Sequence, residues 1–301
     1  MQYIDTICAL CETKYNSQEV FGARLDSLSA TTEIFSARRL PDRRYYRWVR
    51  CNSCDLYRSD PILNINLAEL YKNSTFDYGS EILGLKATYA KLVGSALLPE
   101  RPSGHLLEVG GGNGFFLEQA LEMGFDSVSG VEPSQQAVDS ALPHIRKAMK
   151  VSMFNDSSAE NNSTNIITLF HTLDHLEDPV GVLKTAFQKL KSNGKVLVAV
   201  HNVESFSSKL LRSKSPIFDV EHTYLFSKKT LRLALEKSGF QDVTVSAYTN
   251  LYSLSYIFHL LPFPRPIKLM VLNSRFNNVL KRIKVWIPLG NIYAHGTKVN
   301  M

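Results

Sequence analysis

Four cysteines, all within the first 54 residues, fall in two pairs, Cys8-Ala-Leu-Cys11 and Cys51-Asn-Ser-Cys54. Two-residue spacing lets a tight turn aim both sulfurs at one ion, and two such turns complete the tetrahedral thiolate set that zinc prefers. Four thiolates leave no open position for water, so the expected zinc is structural. A disulfide framework would need an oxidising compartment, and the first ten residues lack the cationic start and apolar stretch of a secretory signal. A redox pair would open a helix within a βαβ unit, which neither motif does. The 39 residues between Cys11 and Cys51 form an excursion of their own, because ribbons more often have roughly 15–20 there. The excursion carries a basic run from Ser36 to Arg47, read either as a solvated hairpin or as a surface for a phosphorylated or acidic substrate.

A second constellation begins at Glu108-Val-Gly-Gly-Gly-Asn-Gly114. A dinucleotide fingerprint starting at Gly110 would need its third glycine at position 115, where Phe115 stands. The pattern present is Glu-x-Gly-x-Gly-x-Gly, in which Gly110, Gly112 and Gly114 let the backbone approach a ligand and turn N–H groups toward a carboxylate. About twenty residues on, Glu132 ends the next apolar run, where a carboxylate can accept both hydroxyls of a ribose. Further along come Phe170-His-Thr-Leu-Asp-His-Leu-Glu-Asp-Pro179 and Glu221-His-Thr-Tyr-Leu-Phe-Ser227. His171 and His175 stand four apart. The helical His-Glu-x-x-His pattern is absent and a strand-to-loop setting should separate the rings, so no metal is expected on them.

These residues sit on a regular alternation. Apolar spacing predicts helices over 63–71 and 80–98, which Pro99 and Pro102 end. From Gly104 onward it predicts strands over 105–109, 127–131, 165–170, 195–200 and 242–248, with a less clear strand from Lys150 toward Phe154. Helices over 115–123, 135–149, 180–190 and 228–238 fall between them. Strands separated by helices of this length imply a doubly wound, mostly parallel sheet.

The chain resembles the class I S-adenosylmethionine-dependent methyltransferases at the glycine loop, at Glu132 and at the two later segments. The resemblance implies a seven-stranded Rossmann-like α/β core in which Gly110, Gly112 and Gly114 hold the methionine part of S-adenosylmethionine. Glu108 would shape that loop, Glu132 would hold the ribose, Asp156 would contact the adenine amine, and His171 would border the cofactor. Asp174 stands where the family more often has Glu. His222 and Tyr224 belong at the carboxyl edge of the sheet, where ligands bind in open α/β folds. The segments from Val49 to Pro61 and from Leu70 to Phe76 resemble a zinc-ribbon subgroup of these enzymes, many of which act on sugars or surface-glycan precursors. The expected organisation is a zinc-ribbon module over 1–60, a helical connector over 61–103 and the cofactor-binding core over 104–250. A basic amphipathic helical insertion or lid over 251–285 and a final strand over 286–301 complete it.

Methyl transfer from a sulfonium is an in-line displacement, so the protein aligns the reactants and excludes water. A hydroxyl acceptor also needs a base, and His175, then His171 and His222, are the candidates. The formal net charge is +6, yet residues 243–301 hold seven bases and no acid, so the remainder is nearly neutral. A short basic and apolar tail fits an anionic surface or an acidic substrate at least as well as nucleic acid. The competing readings are a binding module on a methyltransferase-like fold, or an RNA methyltransferase. Against the second, the Asn/Asp-Pro-Pro-aromatic tetrapeptide of base-amine methylation is absent. A hydrophobic content of 44% supports a large core, and with no 18-residue apolar run the expected location is cytoplasmic, at most peripheral to the inner face of a membrane.

Overall fold

The computed structural model describes residues 2–25, 44–65, 67–72, 79–97, 101–261 and 263–299. Residues 36–43 of the basic run, and 73–76 of the segment after Leu70, lie outside the described residues.

The N-terminal part contributes β1 (Tyr3–Ile4), β2 (Ser17–Phe21), β3 (Trp48–Cys51), β4 (Tyr57–Ser59) and β5 (Ile62–Leu63). Helices α1 (Leu67–Lys72) and α2 (Ile82–Leu97) lead into β6 (His105–Val109), α3 (Phe115–Met123) and β7 (Ser127–Glu132). Next come α4 (Gln135–Asp139), α5 (Pro143–Arg146), β8 (Met149–Val151), β9 (Thr164–Phe170), α6 (Pro179–Lys189) and β10 (Leu190–His201). The chain continues through α7 (Phe206–Leu211), β11 (Tyr224–Leu225), α8 (Lys228–Lys237) and β12 (Gln241–Ser253). Three short helices, α9 (Leu254–Leu260), α10 (Arg265–Leu272) and α11 (Phe276–Arg282), precede β13 (Lys284–Thr297).

Seven strands form one sheet in the order β12-β13-β10-β9-β6-β7-β8. β6 to β10 are mutually parallel, whereas β13 runs antiparallel to both β10 and β12. Central strands are buried on both faces, which is why β6 and β9 read as near-continuous apolar runs. One face is covered by α2 and α3, with Leu85, Tyr89, Phe116 and Phe170 in a shared cluster. The other is covered by α6 and α8 through Leu183, Ala186, Leu231 and Leu235. The strand order reverses between β6 and β9, so the loops after these strands flank the crevice at the carboxyl edge.

Several expected boundaries move. The helix expected over 135–149 is two short helices, because Pro143 cannot donate to a helical ladder and disfavours helical geometry in the residue before it. Leu63, expected to open a helix, instead pairs with Ile62 in β5 against β1, so these two residues extend the N-terminal module. β12 runs on to Ser253 and β13 starts at Lys284, so only residues 254–283 make the helical excursion.

The N-terminal module is joined to the core by main-chain pairing. A four-stranded sheet runs β11-β4-β3-β2, in which β11 comes from the middle of the chain. Beneath it Trp48 is fully buried against Phe218, with ring centroids 5.5 Å apart.

Candidate active site

The chain leaves β6 through a loop folded back on β7. Gly110 and Gly111 N–H both donate to the Val131 carbonyl, at 2.8 and 3.2 Å, and Gly112 N–H donates to Glu132 Oε2 at 2.9 Å. Ser134 N–H donates to Glu132 Oε1, also at 2.9 Å. Gly110 and Gly114 have φ of 74° and 70°, in the left-handed region, and a Cβ at Gly110 would stand 2.5 Å from Thr172 Oγ1. Glycine is therefore required by both backbone and neighbour. The expectation that the N–H groups of Gly110 and Gly112 face a ligand is corrected, since they tie the loop to Val131 and to Glu132. Glu132 is 4% exposed, and each of its oxygens accepts one bond while retaining a further lone pair for a ligand hydroxyl.

Burial pushes the Glu132 carboxyl up, opposed by the Ser134 and Gly112 N–H groups. Glu108 lies below the loop, buried, and Oε2 has no hydrogen-bond partner among the described residues. Burial first, and the Glu132 charge second, hold it well above the usual carboxylate range.

Asp156 does not reach this crevice. Its carbonyl accepts from Lys189 Nζ at 2.7 Å, its carboxylate is 83% exposed, and Lys189 ends α6 beside the start of β9, at the opposite edge of the sheet. A side chain the sequence reading missed is Ser152. Its N–H donates to the Glu132 carbonyl, and its buried hydroxyl has no hydrogen-bond partner among the described residues.

The loops after β9 and β10 and the one before β11 bring together four imidazoles. His171, at a φ of 51°, places Nε2 3.0 Å from the Tyr248 hydroxyl. Its ring centroid lies 4.7 Å from that of His201, His201 lies 5.2 Å from His222, and His222 lies 4.6 Å from His175. In the middle is Asp174, wholly buried, with neither carboxylate oxygen hydrogen-bonded among the described residues. As the strand-to-loop setting implied, His171 and His175 fall in different groups, but each group includes Asp174 and has potential ligand atoms within 4.8 Å of one another, so ligand geometry is present where none was expected. His171 pairs there with His201, and His175 with His222. The sequence alone does not single out Asp174 and His201 as site residues. His201 ends β10 at the same edge as His171, and that placement is the signal that could have found it.

The ring nitrogens are held from behind. His222 Nδ1 donates to the Ile217 carbonyl at 2.8 Å and His175 Nδ1 to the Glu221 carbonyl at 3.1 Å, with the Tyr71 hydroxyl 3.2 Å away. A carbonyl only accepts, so Nδ1 is the donor in each ring, and in the neutral form Nε2 carries the lone pair toward the cluster. Burial, then His175, takes His222 well below the ordinary histidine value, so it is neutral at pH 7. Burial would raise Asp174, but His175, His222 and His201 outweigh it and hold the carboxyl below its usual range.

The four cysteine sulfurs converge within 4.8 Å of one another, and all are free thiols. Cys8 and Cys54 are 3.5 Å apart, and a hydrogen bond from Cys54 holds Cys8 down to about 5 while Cys54 is pushed up. The donor set is the one a tetrahedral zinc takes. It is linked to the histidines through β4: Ser59 N–H donates to the Thr223 carbonyl and Ser59 Oγ to the His222 carbonyl, at 3.0 and 2.9 Å. Thr223 N–H in turn donates to the Asp174 carbonyl.

A seven-stranded sheet with one antiparallel strand, a glycine loop after its first parallel strand and a carboxylate ending the second is the architecture of a Rossmann-like methyltransferase. The family profile described as "Methyltransferase domain" matches residues 84–245, over half the chain, and the chain belongs to that family. It is 30% identical to the peramine synthetase ppzA of Metarhizium rileyi over 29% of this chain and 3% of that protein. It is also 25% identical to the tRNA U34 carboxymethyltransferase of Proteus mirabilis over 46% of this chain and 45% of that protein. The chain thus spans less than half the length of both curated relatives. The solved complex between the Haloferax volcanii Trm112 methyltransferase activator and a methyltransferase resembles it in fold, with a TM-score of 0.52 at 17% identity, covering 73% of this chain and 94% of that one. Among the described residues no helix is long and apolar enough to cross a membrane.

Proposed function

We propose that the protein transfers a methyl group from S-adenosylmethionine to a hydroxyl of a small or glycan-type acceptor, with a sugar or surface-polysaccharide precursor as the favoured class. The observation that carries this is the buried Glu132 carboxylate clipped to Gly112 on the same sheet edge as the imidazoles around Asp174. When bound, S-adenosylmethionine supplies a methyl group on a positively charged sulfur. Glu132 accepts from the ribose hydroxyls, and the loop from Gly110 to Gly114 lets the backbone approach the rest of the donor. An acceptor hydroxyl in the crevice loses its proton to an imidazole as its oxygen bonds the methyl carbon, and the sulfur leaves as a neutral thioether. His175, His222 and His171 have the placement for that proton transfer.

The same reading assigns one structural zinc to Cys8, Cys11, Cys51 and Cys54. It also assigns α9 to α11 to contact with an anionic membrane, which suits a lipid-linked glycan. Phe263, Met270, Phe276 and Val279 are exposed there among Arg265, Arg275, Lys281 and Arg282, and Trp286 near the start of β13 is exposed as well. Aromatic residues suit the headgroup boundary, and each base near anionic lipid contributes on the order of 1 kcal/mol. The excursion leaves and rejoins the sheet at the carboxyl ends of the parallel strands, on the side of the proposed donor site. Co-sedimentation with phosphatidylglycerol vesicles at low salt is expected, reduced when Lys281, Arg282 and Lys284 become Gln. No pelleting above neutral vesicles would leave these helices as a lid over a soluble acceptor.

The central test incubates the protein and S-adenosylmethionine with fractionated cell extract and searches by mass spectrometry for a product heavier by one CH₂. A methylated sugar or glycan lipid supports the reading. A methylated RNA would move the acceptor to the class acted on by the carboxymethyltransferase relative.

A further inference from the structure

The polar centre of the crevice is more than a set of bases. Asp174 is wholly buried and neither of its oxygens has a hydrogen-bond donor among the described residues. Buried carboxylates are ordinarily satisfied by N–H or O–H groups, and one that is not is either displaced or facing a cation. What faces it is two imidazole nitrogens, His175 Nε2 at 3.9 Å from Oδ1 and His222 Nε2 at 3.8 Å from Oδ2. These separations are too long for hydrogen bonds. An ion about 2.0–2.2 Å from each ligand atom holds neighbouring ligands about 3–3.5 Å apart, so small side-chain adjustments would close the set.

The backing of the two rings points the same way. A metal-bound histidine almost always donates its other ring N–H to a carbonyl or carboxylate, which fixes the tautomer and the ring. His175 and His222 do so to the carbonyls of Glu221 and Ile217, leaving both Nε2 atoms facing Asp174. The other group around Asp174 is less prepared, because His171 Nε2 is engaged with the Tyr248 hydroxyl.

We propose that Asp174, His175 and His222 bind one divalent first-row transition ion, zinc being the probe of choice, at a site separate from the cysteine quartet. Two imidazoles and one carboxylate leave coordination positions open, and these suit an oxygen donor. Resting on the methyl-transfer reading, that donor is the acceptor hydroxyl: the ion lowers its proton affinity, and His171, outside the set, receives the proton. His175 and His222 then act as ligands and His171 as the base. A cleft lined by Tyr46, Ile62, Leu63, Val220, Glu221 and Thr223 opens beside His222.

The test is zinc content of the full-length protein, purified with reducing agent, loaded with zinc and desalted, then read by inductively coupled plasma mass spectrometry. Asp174→Asn and, separately, His222→Ala should each contain one equivalent less than wild type. The Asp174 carbonyl that holds Thr223 is main chain and survives the first change. Far-ultraviolet circular dichroism and cobalt(II) spectra confirm folding and separate a nitrogen- and oxygen-ligated ion from a sulfur-ligated one. Equal zinc in wild type and both variants, or a wild-type cobalt spectrum with sulfur ligation alone, would overturn the site. Calorimetry with S-adenosylhomocysteine on the same samples keeps the questions apart: retained binding with no second ion refutes the ion alone, and a second ion without binding refutes the methyl-donor reading.

Discussion

The sulfur cluster and the histidine cluster are both compact sets of potential metal ligands, yet they are built by opposite means. Each pair of cysteines is made by one turn, and the chain needs only to bring two turns together. The histidines come from the ends of β9 and β10 and from the loop before β11, and only the closed fold assembles them. The first draws its donors from two local turns, each supplying two sulfurs. The second surrounds a buried carboxylate that has no hydrogen-bond donor among the described residues. A ligand set built on local turns suits stability, whereas one gathered by topology at a sheet edge suits chemistry, because substrates reach that edge.

The comparison breaks most visibly if the sulfur set is removed. Structural zinc sites in small modules contribute about 10–16 kcal/mol of apparent binding energy. Cys51→Ser should therefore lower zinc content and unfold the N-terminal module, measured by metal analysis and limited proteolysis. Because β4 holds the His222 loop through Ser59, activity should fall with it. Full activity in a zinc-depleted variant would separate the two clusters.

Next in size is the histidine set. His175→Ala and His222→Ala should each reduce turnover by roughly 10²–10⁴. Affinity for S-adenosylhomocysteine should stay near wild type, and a matching loss of affinity would make the rings part of the loop scaffold. Glu132→Ala should weaken donor binding by at least about tenfold, since two charge-assisted bonds of roughly 1.5–3 kcal/mol each are lost. Wild-type affinity by calorimetry would remove the ribose assignment.

The smallest expected effect concerns Glu108. Its folded proton affinity is raised by burial and by Glu132. The proton-linked stabilisation is therefore full below the ordinary glutamate value near 4.5 and is lost as pH rises toward the folded value. Glu108→Gln should gain melting temperature relative to wild type as pH is raised from 5 to 8. A constant difference across that range would mean Glu108 is not proton-linked to folding.

What could be read in advance follows the same division. The cysteine spacing, the glycine loop and the acid at the end of the second strand are local patterns, and the structure places them as a turn-based cluster and a clipped loop. Asp156 misled because a polar residue after the third strand was expected at the crevice, while the loop carries it to the opposite edge. Asp174 looked like a variant of a family acid, and nothing in its neighbours along the chain reveals that His201 and His222 close around it. The split of the 135–149 helix is legible in Pro143, although the apolar periodicity runs through it.

The pairing of β4 with β11 bears on how the chain is made. Ser59 and His222, joined by a hydrogen bond, are 163 residues apart. At about 5–20 residues per second of synthesis, the ribbon leaves the ribosome roughly ten to thirty seconds before its sheet can be completed. Throughout that interval the outer edge of β4 has no strand beside it, and an open edge invites pairing with another chain. Early metal capture by the cysteines would hold the nascent ribbon in shape while it waits. Scarce zinc during expression should therefore appear first as aggregated protein, before it appears as lost activity.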